Sequence, residues 1–388
     1  MISLSTADSA LKNVYLEAIS NQLNKNIDPF FAKIGATSQD VAGNEVKKLV
    51  SLGINGGIGA GTEIGALPTS RENNYVSLTS KLKNLYGTIE ISDKALRASR
   101  DEAGAFLNLL NAEMENLIES SKFNLRRMVY GYGNGFIGKI SEGVVGSKEY
   151  FVYNAGPFVV GMRLRGRLYD ENIDFLNNAT VIDVNYETNI ITLDVEFPEE
   201  YDGEADFELY LYDSAEGYEP LGIRGLCDSD ITNVYGIDRT TTSAFTPATA
   251  KADYTIPTLM KIIDDTRINT NSETDFILCS YFFRRQIQNL LKAQSMNTDI
   301  LDLEGGFKSI SFAGIPVVAS RFVDEKYGFF VDSSVWHLHQ LCDWTWLTNN
   351  KGEVLHQREG YPTHLATLVK YCDLICDRPT TITQAVWS

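Results

Sequence analysis

Three groups of residues carry side chains suited to metal, redox or acid–base chemistry. His337, His339 and Cys342 fall within SVWHLHQLC, and imidazole and thiolate are zinc ligands. A structural zinc site needs a fourth ligand at motif spacing, which is missing here, and the segment also reads as a plain strand. Cys372 and Cys376 would share one face of a helix, but THLATLVKYCDLIC alternates like a strand, where four residues separate side chains by roughly 13 Å. That separation argues against a metal or redox pair. Asp202, Glu204 and Asp206 offer oxygen ligands of the kind calcium takes, and Glu196, Glu199 or Asp206 a carboxylate acid and base for hydrolysis. These acids alternate with apolar residues as on a solvated sheet face, and no triad, metal cluster or paired His accompanies them.

A glycine-rich run, SLGINGGIGAGTEIGALPTS (51–70), invites a phosphate-loop reading and fails it. A Walker loop places an ammonium on phosphate through Gly-Lys-Ser/Thr, whereas Gly61 is followed by Thr62 and Glu63, whose carboxylate repels phosphate. The dinucleotide fingerprint also misses, because Ile64 stands at its third glycine position. The expectation is therefore no catalytic residue, no cofactor site, no metal site and no enzymatic activity.

The elements that position these residues follow from patterning. At 388 residues, with 44% hydrophobic and 11% aromatic residues, the chain can bury several cores. No apolar run approaches the roughly 20 residues of a membrane helix, and the start shows no secretory signal pattern. The five cysteines sit inside apolar stretches such as FILCSYF, which suits reduced, buried thiols and a cytoplasmic folding environment. The net charge of −17 is concentrated: from Asp170 to Glu219 there are 16 acidic residues and no Lys or Arg, while the rest of the chain nearly balances. A sequence-reading DNA binder would show a basic face instead.

Residues 6–23 place Leu11, Val14, Tyr15, Ile19 and Leu23 at helical spacing, a helix stable mainly when docked. Residues 55–91 read as a long two-stranded excursion, which is marginal alone in water and so calls for support from another subunit. Residues 99–130 form the clearest helix, with Ser99 and Glu102 as a capping box, Gly131 as the stop and Phe106, Leu110, Met114, Leu117, Phe123 and Met128 as an apolar stripe. From 133 to 225 the period changes to two, with a turn at Glu187, Thr188 and Asn189. From 226 onward helix and strand alternate: a helix opens near Pro257, FILC is a buried strand, Ser280 caps the next helix, GGFKSISFAGIPVVAS is a hairpin, and long strands follow Asp343.

This order of parts resembles the tailed-bacteriophage major capsid proteins of the Hong Kong 97-like fold. The residues carrying the likeness are GIGAGTEIGALPTS (57–70), the helix 99–130, LDLEGGFKSISFAGIPVVAS (301–320), HLHQLCDWTW (337–346) and ATLVKYCDLICDRP (366–379). The resemblance implies an α+β chain with an N-terminal arm (1–54), an extended hairpin loop (55–91), a peripheral domain with a spine helix (92–132 and 343–388), a β-rich insertion domain (133–225) and an axial α/β domain (226–342). It implies a major capsid protein that self-assembles through hexamers and pentamers into an icosahedral shell around double-stranded phage DNA, assembled in the host bacterial cytoplasm and ending in the virion. The implied partners are other copies of the chain, a portal protein, a separate scaffolding protein because Met1 directly precedes the arm, a decoration protein, and packaged DNA contacted without sequence specificity; no membrane is involved. The acidic insertion is expected on the outer surface, away from DNA. Some members crosslink a lysine of the hairpin to a neighbour's asparagine, which here would be Lys81 or Lys83 with Asn349 or Asn350; exposed Lys and Asn in loops are ordinary, so no crosslink is expected. An encapsulin-like nanocompartment shell is the alternative within the fold, and a carboxylate-dependent hydrolase the alternative outside it.

Overall fold

The computed structural model describes residues 16, 23, 28–53, 57–65, 69, 74–94, 103–168, 173–201, 207–293, 300–303 and 308–388. The expected N-terminal helix (apart from Leu16 and Leu23), the capping box at Ser99 and Glu102, and Asp202, Glu204 and Asp206 lie outside the described residues. Leu23 is fully buried in the main core. Asp28 caps the short helix α1 (Pro29–Lys33) by accepting from the Phe30 N–H at 2.9 Å.

Strands β1 (Glu45–Leu52) and β2 (Asn74–Lys81) form an antiparallel ribbon whose alternation buries Val46, Val50 and Leu78 and leaves Leu49 and Tyr75 exposed. Strand β3 (Lys83–Ser92) leaves that ribbon. Its Leu85, Ile89 and Ile91 are buried beside helix α2 (Ala103–Tyr130), so the two-stranded excursion expected over 55–91 is instead built from 45–52 and 74–81. Gly87 lets β3 lie close to α2: a Cβ there would lie 2.8 Å from Leu117 Cδ1, so that the leucine side chain would have to shift.

Residues 136–211 close a six-stranded barrel from β4 (Phe136–Gly143), β5 (Glu149–Val152), β6 (Arg163–Leu168), β7 (Ile173–Asn185), β8 (Ile190–Leu193) and β9 (Phe207–Leu211), in the circular order β8-β5-β4-β9-β6-β7. Alternation points Tyr150, Leu164, Ala179, Ile191 and Leu209 into a separate apolar core. The expected turn at 187–189 joins β7 to β8, with Asn189 in the left-handed region at φ +55°.

After a short helix α3 (Ile223–Cys227), the chain builds a mixed α/β unit from β10 (Ala248–Ala252), α4 (Ile256–Thr270), β11 (Phe276–Cys279), α5 (Tyr281–Ala293), β12 (Ile300–Asp302), β13 (Lys308–Phe312), β14 (Ile315–Ala319) and β15 (Tyr327–Val331). Thr255 and Thr258 form the capping box of α4, and Ser280 Oγ accepts from the Phe283 N–H at 3.1 Å to cap α5. The last strands are β16 (Trp336–Trp346), β17 (Thr363–Cys376) and β18 (Thr383–Trp387). Strand β17 pairs with β16 on one side and β3 on the other, whereas β18 inserts between β10 and β15 in the seven-stranded sheet β10-β18-β15-β11-β14-β13-β12. A division at 342/343 therefore falls inside β16, and the last five-residue strand belongs with the α/β unit rather than with the long strands. Both faces of that sheet are covered. Ile277, Val317 and Phe330 pack against α4 and α5, while Phe276, Leu278, Val318 and Phe329 join the main core with Phe30 and Trp336.

Candidate assembly surfaces

The residues with chemical potential are tied into the fold separately. On β16, His337 Nε2 lies 3.3 Å from Asp377 Oδ2, which also accepts from Lys48 Nζ at 2.7 Å. Burial raises the Asp377 carboxyl, but hydrogen bonds from His337 and Lys48 outweigh it and hold the group below its ordinary value. His339 is buried, with Nδ1 3.1 Å from the Gln39 carbonyl, and loss of water lowers its pKa. Cys342 follows a register shift on β16 and pairs with Tyr371. Among the described residues no group of three or more His, Cys, Asp or Glu is arranged to hold a metal ion. All five cysteines are free thiols, and burial pushes Cys227, Cys279 and Cys372 up to about 12. Cys372 and Cys376 lie on one extended strand, β17. Glu196 and Glu199 are exposed beside the barrel, with no ion pair to a basic residue among the described residues.

Sequence reasoning missed the polar joints where the parts meet. Arg127, at the end of α2, forms a buried ion pair with Glu219, which also accepts from Ser214 Oγ at 2.6 Å, fixing the exit of the barrel to the helix. Tyr130 donates to Asp28 Oδ2 at 3.1 Å, tying α2 to α1; burial raises both groups above their ordinary values. Arg321 donates to the Gly156 and Phe158 carbonyls, locking the α/β unit to the barrel. Lys370, fully buried, pairs with Asp343 at 2.9 Å. Asp373 is buried on β17, and burial holds it up at about 6 despite Lys83 and a hydrogen bond from Ser80. Arg127 and Glu219, Tyr130 and Asp28, and Arg321 and Gly156 stand 92, 102 and 165 residues apart, so no local pattern signals them.

Outside the joints, large apolar side chains such as Ile268 and Leu341 reach solvent at scattered positions, and others reach it in small groups. The ribbon and the loop beyond it expose Leu49, Ile58, Ile64 and Tyr75. The turn between β4 and β5 exposes Val144 and Val145. A cleft between α2, the start of β3 and the barrel is rimmed by Tyr86, Val160 and Tyr218. Isolated apolar residues on a surface are ordinary, but sets carried on an extended ribbon and around a cleft are the form of contacts with other chains. No helix among the described residues is long and apolar enough to cross a membrane.

Few helices, many strands, a closed barrel and a seven-stranded mixed sheet make a mixed α/β architecture, and the fold as a whole is similar to that of a phage capsid chain. A chain of the capsid asymmetric unit of cyanophage A-1(L) matches at a TM-score of 0.50 and 10% identity, over 94% of this chain and 91% of that one. Weaker matches are the capsid of Myoviridae phage XM1 (TM-score 0.46, 9% identity, 92% and 90% coverage) and the holo-SrpI encapsulin complex from Synechococcus elongatus PCC 7942 (0.41, 9%, 81% and 77%). The fold assignment rests on the first. No protein-family model and no curated protein matches the sequence.

Proposed function

We propose that this chain is the major capsid protein of a tailed bacteriophage, a non-enzymatic subunit that assembles with copies of itself into an icosahedral shell around double-stranded DNA. The observation that carries this reading is the shared fold with the cyanophage capsid chain across nearly the whole length of both. Two features of the chain support it. The β1–β2 ribbon exposes Leu49 and Tyr75, which gain cover only from another molecule. Acidity is confined to one stretch, leaving a near-neutral body suited to a wall along which DNA slides.

In the terms of the Hong Kong 97-like fold, the extended hairpin is 45–81, the peripheral domain comprises 83–132 with 336–376, the insertion domain is 133–225, and the axial domain comprises 226–335 with 377–388. Portal, scaffolding and decoration proteins are the partners such a shell would use, with the barrel on its outer surface. Negative-stain microscopy and sedimentation of the purified chain, alone and with neighbouring gene products, test the reading. Closed shells or capsomer rings are expected. A monomer under every condition, or rings that enclose a co-purifying enzyme and never DNA, would overturn it.

A further inference from the structure

Helix α5 carries three cations, Arg284, Arg285 and Lys292, and no acidic residue. Phe283, Ile287 and Leu291 form its buried stripe, at the spacing of one helix face. Tyr281, Arg284, Arg285, Gln288, Asn289 and Lys292 fall on the opposite arc, where Tyr281, Arg285, Asn289 and Lys292 are exposed and Arg284 and Gln288 half-buried. The arc is about 17 Å long, and Tyr281 supplies its one apolar surface.

The charges of this arc are unmet within the chain. Helices α2 and α4 mix signs and pair them: Lys122 Nζ lies 2.8 Å from Glu119 on α2, and Lys261 pairs with Asp265 on α4. On α5, Arg284 stacks on Tyr281 with its Cζ 5.3 Å from the ring centroid, and its Nε has no hydrogen-bond partner among the described residues. Arg285 and Lys292 make no ion pair or side-chain hydrogen bond among the described residues either. An unpaired cationic face on a chain of net charge −17 calls for an anion from outside. An acidic protein surface would bring apolar contacts to the centre of its interface, and the arc offers a single ring for them. Arginine, lysine, glutamine, asparagine and tyrosine are instead the side chains that bind phosphate oxygens of a duplex.

We propose that this arc of α5 is where the chain touches duplex DNA, through phosphates and without reading sequence; as the seat of packaged DNA it rests on the shell reading above. Helices α4 and α5 cover the same face of the seven-stranded sheet, so that face of the α/β unit is then the inner wall of the shell. Three cations per subunit give a weak, salt-sensitive contact, in keeping with a wall along which DNA slides.

Fluorescence anisotropy of a short labelled DNA duplex, titrated with the unassembled chain over a series of salt concentrations, tests the contact. The wild type should bind weakly at low salt. A variant with Arg284→Gln, Arg285→Gln and Lys292→Gln should bind several-fold more weakly, with the slope of log K against log salt reduced by about 2.7, the value for three lost phosphate contacts. Arg285→Gln with Lys292→Gln, both at exposed positions, should reduce it by about 1.8 even if the triple variant fails to fold. A control with Lys33→Gln, Lys251→Gln and Lys351→Gln removes the same charge from exposed lysines elsewhere and should keep the wild-type slope. No binding by the wild type, or equal losses in the α5 and control variants, would overturn the proposal. So would unchanged DNA binding in an α5 variant that no longer assembles, which would give the arc to a neighbouring subunit. The measurement does not need shells: the expected slopes from a wild type that never assembles would support the DNA contact and overturn the shell reading alone.

Discussion

The barrel and the body around it are stabilised in different ways. Inside the barrel, Tyr150, Phe158, Leu164, Ile191 and Leu209 form an apolar core, and the described acidic side chains mostly face solvent, the exception being Glu208 on β9, which is buried, accepts from the Tyr210 hydroxyl at 2.6 Å and pairs with half-exposed Lys139 at 3.0 Å. The body buries Asp28, Arg127, His339, Lys370 and Asp373 at the joints between segments distant in sequence. A closed sheet drawn from one continuous stretch needs only its alternation to define an inside. A body assembled from remote pieces must also specify which pieces meet, and a buried polar group does this because it is costly unless its one partner arrives.

Breaking a joint should therefore have the largest effect. Glu219→Ala leaves Arg127 buried without its carboxylate and should destabilise the chain by ~3–5 kcal/mol, read from the denaturant midpoint, whereas Arg127→Met with Glu219→Leu should recover much of the loss. Leu209→Ala in the barrel should cost ~2–5 kcal/mol, and its effect should stay local: hydrogen exchange should rise across 136–211 and change little in β16 and β17. Equal loosening of both regions would mean that the barrel is not an independent unit.

The pH response sharpens the contrast. Burial raises Asp373 to about 6 from 3.8, so the folded chain holds that proton more tightly than the unfolded one. Its contribution is most favourable below the unfolded value and is lost as pH rises from about 4 to about 6, some ~3 kcal/mol in total. Asp373→Asn should remove that slope, so that the variant gains on the wild type between pH 4 and pH 7 in thermal melts. Asp377, held low by His337 and Lys48, acts in the opposite sense: its contribution is present above its unfolded value and fades as pH falls through the folded one. The smallest effect is expected in the α/β unit, where Thr255→Ala removes one cap of α4 and should cost ~1 kcal/mol.

Much of the architecture was legible in the sequence because it is local. Period-two alternation marks the barrel strands and their turn at 187–189, period-3.6 patterning marks α2, Pro257 marks the start of α4 and the Ser280 cap that of α5. The acidity of 170–219 is likewise a property of composition alone. Pairing was not legible. The departure of β3 from the ribbon, the run of β16 through the expected boundary and the insertion of β18 between β10 and β15 depend on which distant strand presents a matching edge and which helix covers the apolar face. The ion pairs at the joints and the cleft between α2, β3 and the barrel were hidden for the same reason. Sequence spacing fixes the face on which a side chain lies, but only the closed tertiary structure brings Arg127 to Glu219 or Lys48 to Asp377, because burial makes such pairing necessary and chain topology makes it possible.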